Sequence, residues 1–183
     1  MTPHDWWCAQ GRWWWTDLGR VVAALCVPLV WWQHGLPAGL AMLLVLGGTM
    51  ALRFGLVGAA ADVVGQVVLL LSGWWAAAGT YERWTGLDLV SHAGCGAVLA
   101  LLAQRAPAVR RYLAPAPVLR TTALVLLLGG LWELGELAGY RWLDPAIHVG
   151  TVDTTTDLIA DVTGAAAAAA LGGRAISPAA SPR

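Results

Sequence analysis

Apolar residues fall into six long blocks, separated by short breaks rich in Gly, Pro, Arg or acidic residues. A helix needs about 20 mainly apolar residues to cross ~30 Å of hydrocarbon. Blocks at 18–33, 37–56, 58–80, 87–105, 118–138 and 155–173 meet that need, the first only if it begins at Trp13 to Trp15, and Pro28 is expected to bend it. The pattern predicts an all-α fold: a polytopic membrane helical bundle of about six transmembrane helices, making one integral membrane domain over 1–183. No internal repeat of about 20 to 50 residues and no extramembrane domain interrupts it.

Polar residues break the apolar pattern at particular places. In VDTTTDLIADVTGAAAAAALGG, residues 152–173, Asp153, Asp157 and Asp161 recur every fourth position and so share one helix face. Asp88 and His92 are spaced i,i+4 at the start of the fourth block, and Glu133 and Glu136 are spaced i,i+3 late in the fifth. Each pair also shares a face. Counting ~1.5 Å per residue from the block ends puts His92 about 7 Å, Glu133 about 8 Å and Asp161 about 9 Å inside their helices, a common layer.

Composition confirms the environment: 58% of residues are hydrophobic, 12% are charged and mean hydropathy is +0.62, values of an integral membrane protein. Net charge is zero and every basic residue is Arg, so no basic field points to nucleic acid. Three widely spaced cysteines, Cys8, Cys26 and Cys95, suit buried free thiols rather than a disulfide framework or a thiolate zinc site. The N-terminus has Asp5 and Asp17 and no small-residue cleavage signal, so the first span is expected to be retained.

Charge also orients the spans. With six crossings, Arg12, Arg20, Arg53, Arg105, Arg110, Arg111, Arg120, Arg174 and Arg183 fall on one side, and only Arg83 and Arg141 on the other. The bias places both termini in the cytoplasm. Trp31, Trp32, Trp74, Trp75, Trp84 and Trp142 then form an outer aromatic belt and Trp13, Trp14 and Trp15 an inner one. Asp88, His92, Glu133, Glu136, Asp153, Asp157 and Asp161 all lie on the outward side.

An Asp at the centre of a lipid-facing helix costs roughly 2.5 to 3.5 kcal/mol on the insertion scale, so these groups are expected to face inward onto one pocket. Their excess negative charge calls for protons, a cationic substrate or a bound metal. Simpler roles compete at individual positions. Asp153 suits a helix N-cap, Asp157 gains from the helix dipole, Glu136 suits an ion pair with Arg141 or Arg83, and His92 suits a structural histidine. Asp161 and Glu133 lie too deep for such roles. His148 is an accessory candidate, Asp62 suits an ion pair with Arg53, and His34 and Asp144 stand apart.

The ordered segments LDLVSHAGCG (87–96), WELGE (132–136) and GTVDTTTDLIADVTGA (150–165) resemble the YjdF-like family of bacterial inner-membrane proteins. That family's pattern runs D-x-x-x-H-x-x-x-G, W/Y-E-x-x-E, then D-T-x-x-D ending in G-A. The likeness covers about residues 82–166. VanZ-like membrane proteins show a looser version of the layout. Here Ala93 follows His92 where an aromatic is more usual, and the loop before Asp153 is shorter. The resemblance implies a bacterial cytoplasmic (inner) membrane location and functional positions at Asp88, His92, Glu133, Glu136, Asp153, Asp157 and Asp161. It names a pocket without naming a reaction.

Two functional classes follow from the residues. The first is a metal-dependent hydrolase or transferase acting on lipid headgroups or lipid-linked phosphates. His92, Glu133 and Asp161 would be ligands of Mg²⁺, Mn²⁺, Fe²⁺ or Zn²⁺, Glu136 or Asp157 the general base, and Asp88 the residue orienting the imidazole. The second is a cation or proton-coupled permease, which the apolar stretches 124–128 and 166–171 disfavour. A structural bundle with a buried polar network is the third reading, and the small-residue run 164–173 fits close helix packing under any of them.

Overall fold

The structure, a computed structural model, describes residues 14–175 except 56, 85 and 148, with only the backbone of 173–175. Expectations at Cys8, Arg12, Trp13, His148 and Arg183 lie outside the described residues. The helices are α1 (Asp17–His34), α2 (Leu36–Phe54), α3 (Ala59–Ala77), α4 (Leu87–Arg105), α5 (Pro107–Leu113), α6 (Pro117–Trp142) and α7 (Thr151–Ala175). No strand occurs among the described residues, and the fold is an all-helical polytopic bundle. Six helices have the length expected of spans, and four of them, α2, α3, α4 and α6, are also apolar enough throughout to cross a membrane. Polar ends dilute α1, and the aspartates dilute α7.

The helices divide into two compact units, Met1–Trp84 and Thr85–Arg183. In the first, α1 continues unbroken through Pro28, and Gly35, whose φ of 86° favours glycine, turns the chain into α2. α2 and α3 pack closely because small residues face large ones: Gly65 leaves room for Leu52, and Gly73 for Met42 and Val45. Leu40, Leu43, Leu44, Val64 and Val67 remain outward as an apolar coat suited to lipid.

This unit also encloses a polar network that the sequence pattern did not reveal. Arg20 on α1 donates through Nη2 to Asp62 Oδ1 at 2.5 Å, through Nη1 to Asp17 Oδ1 at 3.0 Å, and through Nε to the Thr49 carbonyl at 3.0 Å. Arg53 Nε lies 3.1 Å from the same Asp17 oxygen, and the Trp14 ring centroid is 4.8 Å from its guanidinium carbon. Gln66 donates to Asp62 Oδ1 at 3.0 Å and to the Thr16 carbonyl at 3.1 Å. The expected Arg53 to Asp62 pair is therefore exchanged: Asp62 takes Arg20, and Arg53 takes Asp17. The reason is geometric, since the planar fork of Arg20 reaches both carboxylates and a backbone carbonyl at once. Trp14, one of the tryptophans expected in the inner aromatic belt, stacks against Arg53.

In the second unit α4 and α7 run parallel in backbone contact. A β-carbon at Gly164 would overlap the Ala93 carbonyl oxygen, and one at Gly96 would overlap the carbonyl oxygen of Asp161. Ala100, Val125 and Ala165 close the apolar centre between α4, α6 and α7, with Leu99 and Ala168 packed against them. Cys26 in the first unit and Cys95 in the second are half-buried and take part in no disulfide.

Two helix ends differ from the expected ones. α6 continues four residues past Ala138, because hydropathy marks where lipid ends while helical hydrogen bonding runs on until Asp144 and Pro145. α7 begins at Thr151, with Thr154 N–H already bonded to the Gly150 carbonyl. Asp153 is therefore a first-turn residue rather than the N-cap. Inside this first turn Thr155 donates to the Thr151 carbonyl at 2.6 Å and Thr156 to that of Asp153 at 2.9 Å, so these two hydroxyls are satisfied by the helix itself.

Candidate functional site

The longer helices change the depths of the acids. At ~1.5 Å per residue, Asp161 lies about 15 Å from the start of α7 and Glu133 about 14 Å from the end of α6, while His92 stays about 8 Å inside α4. α6 runs antiparallel to α4 and α7, so its C-terminal part meets their N-terminal parts.

Asp157, Asp161 and Glu133 are buried, with 2%, 4% and 8% exposure, and His92, Asp88 and Glu136 are half-buried. Burial at every fourth position of α7, through Asp157, Asp161, Ala165 and Ala169, shows that the aspartate row continues the packed face of the helix rather than a lipid-facing one.

His92 is the hub. Its Nδ1 lies 3.3 Å from Asp161 Oδ1 and its Nε2 lies 3.7 Å from Asp88 Oδ1. A carboxylate only accepts, so the Asp161 contact places a hydrogen on Nδ1; in the neutral ring Nε2 is then the free acceptor, directed toward Asp88. The 3.7 Å separation is too long for a hydrogen bond, yet suits two donors each about 2.0 to 2.2 Å from one ion. Asp157 completes the arrangement: one ligand atom each from Asp88, His92 and Asp157 lies within 4.8 Å of the others.

Asp161 owes its position to two glycines. A β-carbon at Gly96 would strike its backbone, and one at Gly129 on α6 would strike its Oδ2 and stand 3.0 Å from Leu158 Cδ2. The carboxylate thus sits in a notch between three helices.

The α6 acids line the same region. Glu136 accepts a hydrogen bond from the Trp132 indole and lies within electrostatic reach of Glu133, His92 and Asp88. Glu133 reaches Asp157 in the same sense, and its Oε1 is buried with no hydrogen-bond partner. The structure therefore brings together Asp88, His92, Glu133, Glu136, Asp157 and Asp161, with Asp153 one turn above Asp157. Of the expected ligands only His92 falls in the closest group, beside Asp88 and Asp157; Glu133 and Asp161 stand next to it. No ion pair joins Glu136 to Arg141 among the described residues, and the Asp144 carboxylate accepts the Ala146 N–H in a local turn, apart from the cluster.

The features the sequence had not singled out are Gly96 and Gly129. The signal was present in the spacing of Gly96 four residues after His92, and of Gly129 four residues before Glu133.

A bundle of helices, four of them long and apolar enough to cross a membrane, defines a polytopic membrane protein, and one imidazole and five carboxylic groups gather between α4, α6 and α7. The sequence matches the predicted membrane protein family DUF2238 over residues 9–177, so the chain belongs to that family. No curated protein and no solved structure matches it.

Proposed function

We propose that this DUF2238 protein is a metal-dependent membrane enzyme, a hydrolase or transferase acting on a lipid headgroup or lipid-linked phosphate. The observation that carries this reading is the convergence of Asp88, His92 and Asp157 to within ligand distance of one another. Two carboxylates and an imidazole suit Mg²⁺, Mn²⁺, Fe²⁺ or Zn²⁺. Asp88 and Asp157 thereby join His92 as the ligand set. Asp161, in the notch formed by Gly96 and Gly129, orients the imidazole through Nδ1, as acidic partners of metal-bound histidines do.

A cation held by these three groups would polarise a phosphoryl oxygen and lower the pKa of bound water. Glu136, half-buried beside Trp132, would serve as the proton acceptor. The headgroup enters from the membrane face on which α4 and α7 begin. The arginine distribution supports an outward position for that face: Arg105, Arg110, Arg111 and Arg120 cluster around α5, at the other end of the same helices. Six spans, cytoplasmic termini and a bacterial inner membrane complete the reading, and the ordered motifs support the YjdF-like assignment within the family.

Elemental analysis of protein purified in detergent without chelator tests the site, with about one divalent ion per chain expected. Saturation at a hundredfold excess over Kd stabilises by about 2.7 kcal/mol, visible in thermal unfolding. Metal-free protein whose unfolding is indifferent to all four ions would sink the proposal.

A further inference from the structure

Glu133 is used by neither the cation ligands nor the proton acceptor. Its carboxylate is 8% exposed and Oε1 finds no donor. A buried oxygen left unpaired costs free energy, and an acceptor is satisfied only by something that donates. Its acidic neighbours Glu136 and Asp157 lie within electrostatic reach, and neither is hydrogen-bonded to Oε1. The chain contains no Lys, Arg105, Arg110, Arg111 and Arg120 lie at the far ends of their helices, and Arg141 is exposed on the last turn of α6.

We infer that Glu133 accepts a hydrogen bond from a primary ammonium group, the amino headgroup of an aminophospholipid whose phosphate reaches the Asp88, His92 and Asp157 site. Three observations select this class. Five carboxylic groups beside one imidazole favour a headgroup that brings a positive charge over an anionic one carrying no amine. The vacancy at Oε1 calls for a donor; a quaternary ammonium has no hydrogen to give, whereas a primary ammonium donates and brings charge. Leu131, Leu134 and Leu137, on the same turns of α6, are exposed and offer the acyl chains an apolar path along the helix. A second divalent ion is the poorer occupant, because among the described residues only Asp88, His92 and Asp157 converge to ligand distance. The phosphate end rests on the cation reading above; the ammonium end stands without it.

The test compares binding of diheptanoyl phosphatidylethanolamine, phosphatidylcholine and phosphatidylglycerol, and of free ethanolamine, to the full chain in detergent with Mg²⁺ or Mn²⁺, by titration calorimetry and native mass spectrometry. Loss of a charge-assisted hydrogen bond is worth about tenfold or more in affinity. Phosphatidylethanolamine should therefore bind at least about tenfold tighter than phosphatidylcholine, and E133Q should abolish the preference while retaining its metal. Equal binding of the two lipids by the unmodified protein would overturn the inference, as would a preference that survives in E133Q. Loss of a bound ion in E133Q would place Glu133 on the metal instead. Free ethanolamine binding as tightly as the lipid would overturn the lipid source. Preference for the amine by a metal-free protein would leave this inference standing and remove the cation reading alone.

Discussion

The two units bury their polar groups on opposite principles. In the first, Asp17 and Asp62 face Arg20 and Arg53, equal in number and joined by contacts of 2.5 to 3.1 Å, with Gln66 and a backbone carbonyl completing the set. In the second, five carboxylates share one imidazole. Both clusters sit among apolar helices, where an uncompensated charge costs several kcal/mol. The first balances its charges within the chain and acts as a clasp. The second does not, and the proposed cation would supply the balance.

That contrast can be broken from either side. The largest effect is expected from Arg20→Met, which leaves Asp62 with Gln66 alone and removes one of the two cationic partners of Asp17. Thermal unfolding in detergent should show a loss of about 3 to 5 kcal/mol that no divalent ion restores. A neutral result would mean that the first cluster is no clasp.

Next comes a pair of adjacent glycines on α6. Gly129→Ala drives a methyl into the Asp161 carboxylate and should cost about 1 to 3 kcal/mol. It should also weaken metal binding about 10- to 100-fold, because the Asp161 contact to His92 is displaced. Gly130→Ala, which meets open space, should stay within about 1 kcal/mol of the parent and keep its metal affinity. Equal behaviour of the two variants in metal titrations would remove the positioning role of Asp161.

The smallest effect carries the most telling sign. Asp157→Asn relieves repulsion in an overcharged cluster, so with chelator present the variant should be more stable than the parent by about 1 kcal/mol. Stabilisation by added metal should disappear in the same variant. Destabilisation in chelator would show that the second cluster is balanced like the first.

The legibility of these clusters in the sequence differs for a physical reason. The second was readable because its partners lie on one face within each helix: Asp88 with His92, Glu133 with Glu136, and Asp157 with Asp161, all inside apolar blocks where a charge stands out. The start and end of α4, Leu87 and Arg105, followed from the same contrast. The first cluster was hidden because Arg20, Arg53 and Asp62 sit near block ends, where a charge is ordinarily explained by headgroups and water. Local hints existed in the i,i+3 spacing of Asp17 and Arg20 and the i,i+4 spacing of Asp62 and Gln66. Sequence distance misled as well: Arg53 and Asp62 are neighbours along the chain, whereas the partner Asp62 takes is 42 residues away. The extent of α6 and α7 was underestimated because hydropathy measures immersion, whereas helices end where backbone hydrogen bonds do.

The parallel contact of α4 and α7 has one more effect. Asp88 and His92 ride on one helix and Asp157 on the other, and at Ala93, Gly96, Asp161 and Gly164 the two meet backbone to backbone. At these close approaches, main-chain atoms would set the calibre of the proposed ligand ring. A ring of fixed calibre discriminates by ionic radius: small ions with ligand distances near 2.0 to 2.1 Å would fit a constriction that cannot widen, whereas Ca²⁺, which needs about 2.3 to 2.6 Å and more oxygens, would be turned away.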